Sequence, residues 1–552
     1  MVAFGLLDWI VLVLSFIGLF AIIFWVVYIK QETDTDYFLA SRAAGWLVIG
    51  MSIWASNIGS EHLVGLAGAG AESGLAMAHW EMHAWLILIL GWVFVPFYSK
   101  CRVFTMPEFL ERRFDSRSRY ILSVISIISY VLTKVAVTVY AGGIVFKYCL
   151  GIDTLWGIDF FWISAIGLVI ITGLYTIAGG MRAVLYTSVI QTPIIILGCA
   201  LILIIGLIKL GGWSELVAIC DSVKTGYNGD TMMTLVRSSS DPDFPWTGVL
   251  FAAPIIGFWY WCTDQYIVQR VLSAKNMKMA RRGAIFAAYL KLTPVFIFLI
   301  PGMIAFALDK KGIITLESSD AAFPTLVSTL LPAGFKGLVV AGLAAALMSS
   351  LSSLFNSSAA LFTEDFYKKY KPNKEPHHYV VVGRIATTVI VILGILWIPI
   401  MRGLGEVLYR YLQDVQSLLA PGIAATFLLG VFSKRVNSHG AFYGLLAGMV
   451  LGLFRLFLNV IGIPEDTLLY NIFLSHNWLH YCIYLFILCI ILILGISYLT
   501  SKPSDEKVAN LTIYTITKED RKEIRSTWNK WDVIHTVIIL AFIVWFYAYF
   551  WK

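Results

Sequence analysis

A chain of 552 residues that is 59% hydrophobic and only 14% charged carries more apolar surface than a soluble core can hide, since soluble domains hold roughly 25% charged residues. Its mean hydropathy of +0.79 calls for lipid as a solvent. The net charge of +7 sits between apolar runs, which excludes a nucleic-acid patch.

Residues 1–8 lack a basic leader, so the apolar run 9–29 reads as a span and not as a cleaved signal. In chain order, spans are expected near 8–29, 46–71, 76–98, 120–147, 155–173, 183–208, 248–269, 284–308, 335–362, 379–400, 407–432, 440–461, 478–500 and 532–551. That is an all-α integral membrane protein of about 14 transmembrane helices. Alternate loops carry most of the Lys and Arg: Arg102 to Arg119, Lys275 to Arg282, Lys368 to Lys374, Lys434 and Arg435, and the stretch 502–530. By the positive-inside rule that side is cytoplasmic. The long segments 211–245 and 309–334 are then external. The seven cysteines show no CxxC or metal-ligand spacing and read as buried hydrophobes.

Two spans are poorly written as continuous helices. In the second, Ala55-Ser56-Asn57-Ile58-Gly59-Ser60-Glu61-His62 puts polar residues and Gly at mid-membrane. In the seventh, Pro254 and Gly257 precede Trp259-Tyr260-Trp261-Cys262-Thr263-Asp264-Gln265. Interrupted helices at matching positions of two halves point to a transporter's binding site, where unwound carbonyls can hold a cation. The breaks lie five spans apart, as in two inverted five-helix repeats.

Charges inside apolar spans are expensive, and so they are functional candidates. Glu81 and Lys291 are the leading pair, weighed against an ion pair that only fixes packing. Lys134 and Arg455 read as structural or snorkelling. On span nine, Ala346, Ser349 and Ser350 share a helical face; the run serves either a sodium ion or helix packing through small residues. Gln413 and Gln416, with Tyr409 and Tyr411 nearby, suit a neutral polyhydroxylated solute. No GxSxG or HExxH pattern supports an enzyme.

Several stretches together resemble the sodium/solute symporter family, within it the sodium/glucose (galactose) cotransporter branch. They are ASNIGSEHLVGLAGAGAESGLA (55–76), TMPEFLERRF (105–114), GGMRAVLYT (179–187), WYWCTDQYIVQRVLSAKN (259–276), YLKLTPVF (289–296), LMSSLSSLFNSSAALFTEDFY (347–367) and LLGVFSKRVNSHGAFYGLLAG (428–448). The resemblance implies a LeuT-type 5+5 inverted repeat with added helices at both ends. The chain would divide into 1–45 (N-terminal helix and loop), 46–210 (first repeat), 211–247 (external loop), 248–432 (second repeat) and 433–552 (C-terminal helices).

It also implies a sodium site on the carbonyls of Ala55, Ile58 and Ala346 and the hydroxyls of Ser349 and Ser350. Solute contacts would fall on Asn57, His62, Glu81, Tyr260, Trp261, Lys291 and Gln413. Tyr260 would be the inner gate, and Leu66, Trp80 and Tyr409 the outer one. The expected activity is sodium-coupled import of a monosaccharide across a cell membrane by alternating access, one sodium per sugar. A myo-inositol or other solute symporter, or a sugar sensor without concentrative transport, is the alternative. Three positions depart from the branch's pattern: Gly257 where Thr or Asn is common, Tyr409 for Phe, and Ser188 for Asp.

Overall fold

Helices begin where the sequence supplies caps. Thr105 accepts from the Glu108 N–H, Asp115 from Ser118, Asn276 from Met279 and Asn437 from Gly440. Each satisfies an amide that the first turn leaves without a partner. The computed structural model describes residues 4–59, 61–224, 229–404 and 408–551, apart from the side chains of residues 132 and 400–414. Its one small sheet among these residues pairs Thr154–Leu155 with Ile158–Asp159; the regular structure is otherwise helical.

Among the described residues, eleven helices are long and apolar enough to cross a bilayer, fewer than the expected count. Fusion and interruption account for the difference. Phe160–Leu210 runs for 51 residues, and Gly180 breaks it at φ 51°, ψ −147°. At about 1.5 Å per residue it far exceeds a hydrocarbon core of about 30 Å. Trp46–Asn57 stops after 12 residues, and Trp246–Phe258 after 13.

Both expected breaks are present, and they share a backbone conformation. Ile58 ends its helix at φ −78°, ψ 109°. Asp264 does so at φ −76°, ψ 126°, and its carboxylate caps the next helix, Gln265–Leu272, at the Tyr266 N–H. Wide π-helical turns sit beside them at Glu61–Leu66 and Trp259–Thr263, and another lies at Tyr130–Val135. Such turns re-aim side chains and concentrate at functional sites.

Around the breaks, Met277–Lys291 packs along Trp46–Asn57, and Phe335–Ala360 along Phe160–Leu210. Ala67–Ser73 and Ile300–Lys310 meet backbone to backbone: a Cβ on Gly302 would lie 1.9 Å from the Ala67 carbonyl oxygen. Only glycine permits that approach, a common device where helices pack in lipid.

The loops gather at two ends. At one, Lys369 pairs with Glu111 at 2.9 Å, Arg119 with Asp365 at 2.6 Å, Lys100 with Asp520 at 2.7 Å and Arg282 with Asp532 at 2.9 Å. These contacts join the basic segments that the charge pattern assigned to a single side. At the other end, the Asp8 carboxylate accepts from Gly334 N–H at 2.7 Å and Gly337 N–H at 3.0 Å. There Leu75 N–H donates to the Met232 carbonyl at 2.8 Å, and Lys311 pairs with Glu215 at 2.6 Å.

Candidate functional site

Asn57, His62, Glu81, Tyr260, Trp261 and Lys291 converge from four separate stretches on one cavity between the two breaks. Trp80 of the expected outer gate also lines it; Leu66 is fully buried nearby but does not. The side chains of Gln413 and Tyr409 lie outside the described residues, although both stand on the helix Leu408–Phe432. Gln416 of that helix reaches the cavity, as do Glu61, His83 and Gly257.

The cavity measures about 40 Å³, room for a few water molecules and far below the roughly 300–1,000 Å³ of ordinary ligand pockets. Aromatic layers close it. Trp80 stacks on Trp478 with centroids 6.0 Å apart and meets Phe244 edge-on at 6.2 Å. Opposite, Tyr260 packs edge-on against Trp261 at 4.9 Å and tilts against Tyr266 at 6.2 Å. Admitting a ring-sized solute therefore requires these layers to part.

Charge in the wall is organised as a chain. Lys291 Nζ donates to Glu81 Oε2 at 2.7 Å, and the ammonium lies 5.2 Å from the Trp261 ring centre. His62 Nε2 stands 3.4 Å from Glu81 Oε1 and 3.2 Å from Asn57 Nδ2. A neutral ring uses that nitrogen for one contact at a time, donating to Glu81 or accepting from Asn57. The Tyr260 hydroxyl, His62 Nδ1 and Trp80 Nε1 are buried without a hydrogen-bond partner among the described residues. Three unmet polar groups facing paired ones can receive the hydroxyls of a neutral solute.

Beneath Tyr260, Lys134 pairs with Asp264 at 2.9 Å among the rings of Tyr130, Trp259, Tyr260 and Tyr266. Lys134 is thus an interior ion pair at the second break and does not snorkel. Arg455 is buried too: Nη2 donates to the His476 carbonyl at 3.1 Å, and its guanidinium lies 4.2 Å from the Tyr481 ring centre.

The serine face adjoins the first break. Ala55, Ile58, Ala346, Ser349 and Ser350 are all buried. Ser350 Oγ lies 3.2 Å from the point where a Cβ on Gly59 would stand, immediately after Ile58. Ser349 Oγ is 3.3 Å from Ser188 Oγ, and Ser188 Oγ is 3.4 Å from Ser52 Oγ. Ser353 Oγ donates to the Ser349 carbonyl at 2.6 Å. Neutral oxygens on both sides of an unwound backbone fit a hard monovalent cation and offer nothing to a soft metal.

Tyr266 joins the two sites. Its hydroxyl donates to the Ser56 carbonyl and lies 3.1 Å from Ser350 Oγ, while its ring packs on Tyr260. The sequence reading passed over Tyr266 and His83 as site residues, and placed Glu61 only within the polar break. Gln416, read from sequence with Gln413 as suited to a polyhydroxylated solute, does line the cavity. His83 shares a short turn with Glu81 and carried no pattern of its own.

The profile of the sodium:solute symporter family matches residues 37–448. The chain belongs to that family. The symporter is 36% identical to sodium/glucose cotransporter 4 of Danio rerio over 95% of its own length and 83% of the relative's. It is 37% identical to sodium/myo-inositol cotransporter 2 of Homo sapiens over 92% and 79%. Its fold matches that of a Na+-coupled sialic acid symporter solved substrate-bound and outward-open, with a TM-score of 0.71, 24% identity, and coverage of 91% of this chain and 99% of that one. The symporter is a multi-pass membrane protein, a transporter and not an enzyme, and it uses sodium.

Proposed function

We propose that the symporter imports a neutral, ring-shaped polyhydroxylated solute with sodium, a monosaccharide of the glucose or galactose type, across the cell membrane. The cavity carries this reading: Glu81, Lys291, Asn57 and His62 present donors and acceptors beside the faces of Tyr260 and Trp261. Sugar hydroxyls need such paired groups, and a pyranose stacks on an aromatic face. Glucose cotransporters among the relatives support it. A cyclic polyol such as myo-inositol is the second reading, favoured by the equally similar inositol cotransporters.

In this mechanism sodium sits on the Ala55, Ile58 and Ala346 carbonyls and the Ser349 and Ser350 hydroxyls. By bridging the unwound end of Trp46–Asn57 to Phe335–Ala360 it holds the outward-open state, with Trp80, Leu66 and Tyr409 parted. Solute enters against Tyr260, with Gln413 completing its hydrogen bonds. The outer layer then closes, Tyr260 swings away, and both cargoes leave to the cytoplasm. Each sodium carries one charge inward, which contributes about 2.3 kcal/mol per 100 mV.

The same reading gives fourteen helices in a LeuT-type 5+5 arrangement. Phe160–Leu210 crosses twice about Gly180, and 46–210 and 248–432 form inverted repeats between terminal additions. The like conformations of Ile58 and Asp264 support this. Sodium-gradient uptake by Ser350→Ala in proteoliposomes tests the cation site. The variant should need several-fold more sodium for half-maximal uptake; an unchanged sodium dependence would contradict it.

A further inference from the structure

We propose that the Glu61 carboxylate is the counter-charge of the sodium site and ties that site to the solute cavity. The inference rests on the reading of the serine face as the sodium site. Glu61 opens the π-helical turn three residues after the break at Ile58. It lines the solute cavity, yet its carboxylate makes no hydrogen bond or ion pair among the described residues. The neighbouring charges are committed: Glu81 to Lys291, and Asp264 to Lys134.

Its position is defined through Gly59. A Cβ built there would lie 3.2 Å from Ser350 Oγ and 3.8 Å from Glu61 Oε1, so the two oxygens flank one point of backbone. The donors on the serine face are neutral, and Ser188, against Ser349, is neutral as well. A cation among neutral oxygens in low dielectric gains from an opposite charge nearby even without direct coordination. Glu61 also lines the solute cavity, where solute hydroxyls can donate to it, so one carboxylate faces both cargoes and any influence of one on the other is reciprocal.

The experiment titrates sodium against purified protein without solute, with choline holding ionic strength, and reads tryptophan fluorescence and thermal stabilisation. Parent, Glu61→Gln, Glu61→Asp and Ser350→Ala are compared. Glu61→Gln should raise the half-saturating sodium concentration about tenfold or more, and Glu61→Asp, which keeps the charge, distinctly less. Should Glu61→Gln destabilise the fold, Glu61→Ala takes its place: weaker sodium binding by Glu61→Ala than by Glu61→Asp bears the proposal out, and equal binding by the two overturns it. Parent-like sodium binding by Glu61→Gln, with Ser350→Ala weakened, overturns the inference and spares the sodium site. Parent-like binding by all three variants overturns both.

Discussion

Gly257 and His83 compete for one volume: a Cβ on Gly257 would lie 2.7 Å from His83 Nδ1 and 2.5 Å from Leu86 Cδ1. The glycine that departs from its branch's pattern is thus set by the Leu86 methyl and the His83 imidazole opposite. Gly257→Thr should cost about 1–3 kcal/mol through overpacking and depress uptake. The double variant Gly257→Thr/His83→Ala should recover part of the stability, with the coupling read from a double-mutant cycle of melting temperatures. Additive losses would separate the two positions.

Glu81 and Lys291 answer as a pair. Removing either partner leaves a buried charge alone, at about 3–5 kcal/mol. Glu81→Gln and Lys291→Met should therefore each lower the melting temperature and abolish uptake. Combined, they should restore most of the stability and none of the transport. Recovered uptake in the double variant would make the pair structural only.

Ser188 bears on stoichiometry. It is fully buried and hydrogen-bonded to Ser349, so an Asp there would bring a charge to the serine face. We expect one sodium per solute in the parent, read from reversal potentials in proteoliposomes, and a ratio moving towards two in Ser188→Asp. A ratio of two in the parent would contradict this.

Lys100 fastens the segment 505–526 to the bundle through Asp520, with Glu523 alongside. The hydrogen bond from Lys100, then that from Thr517, holds the Asp520 carboxyl below its ordinary value of 3.8, and Lys100 is raised in turn. A depressed acid gives its stabilisation in full above the ordinary value and loses it as pH falls through the lowered one. Amide hydrogen exchange over 505–526, corrected for the intrinsic rate at each pH, should therefore stay flat from pH 6 to 5 and rise below about pH 4. Because the pair lies half-buried at the surface, Lys100→Met should raise exchange only a few-fold at pH 5. A parent profile that rises between pH 6 and 5 would assign the contact to another group.

Hydropathy, loop charge and clustered polar residues made the membrane class, the two breaks and the Glu81 and Lys291 candidates legible from sequence, and the family resemblance supplied the other expected cavity residues. The break at Gly180 was legible too, since the spans read at 155–173 and 183–208 leave between them the residue that interrupts the 51-residue helix. Pairing was legible only in part. Lys134 reads as a snorkelling cation along its own helix, and its partner Asp264 lies 130 residues away. Tyr266 is one more aromatic in an aromatic-rich chain until folding brings its hydroxyl to the Ser56 carbonyl.

The central claim, sodium-driven import of a ring-shaped polyol, is tested most directly by solute uptake into proteoliposomes of the purified symporter. The assay compares an inward sodium gradient with an inward proton gradient at zero sodium, for D-glucose, D-galactose and myo-inositol. We expect concentrative uptake of at least one of the three under the sodium gradient, loss of it when sodium is equal on both sides, and none with protons. Uptake indifferent to sodium that follows the proton gradient, or sodium-stimulated binding of these solutes without accumulation, would contradict the account.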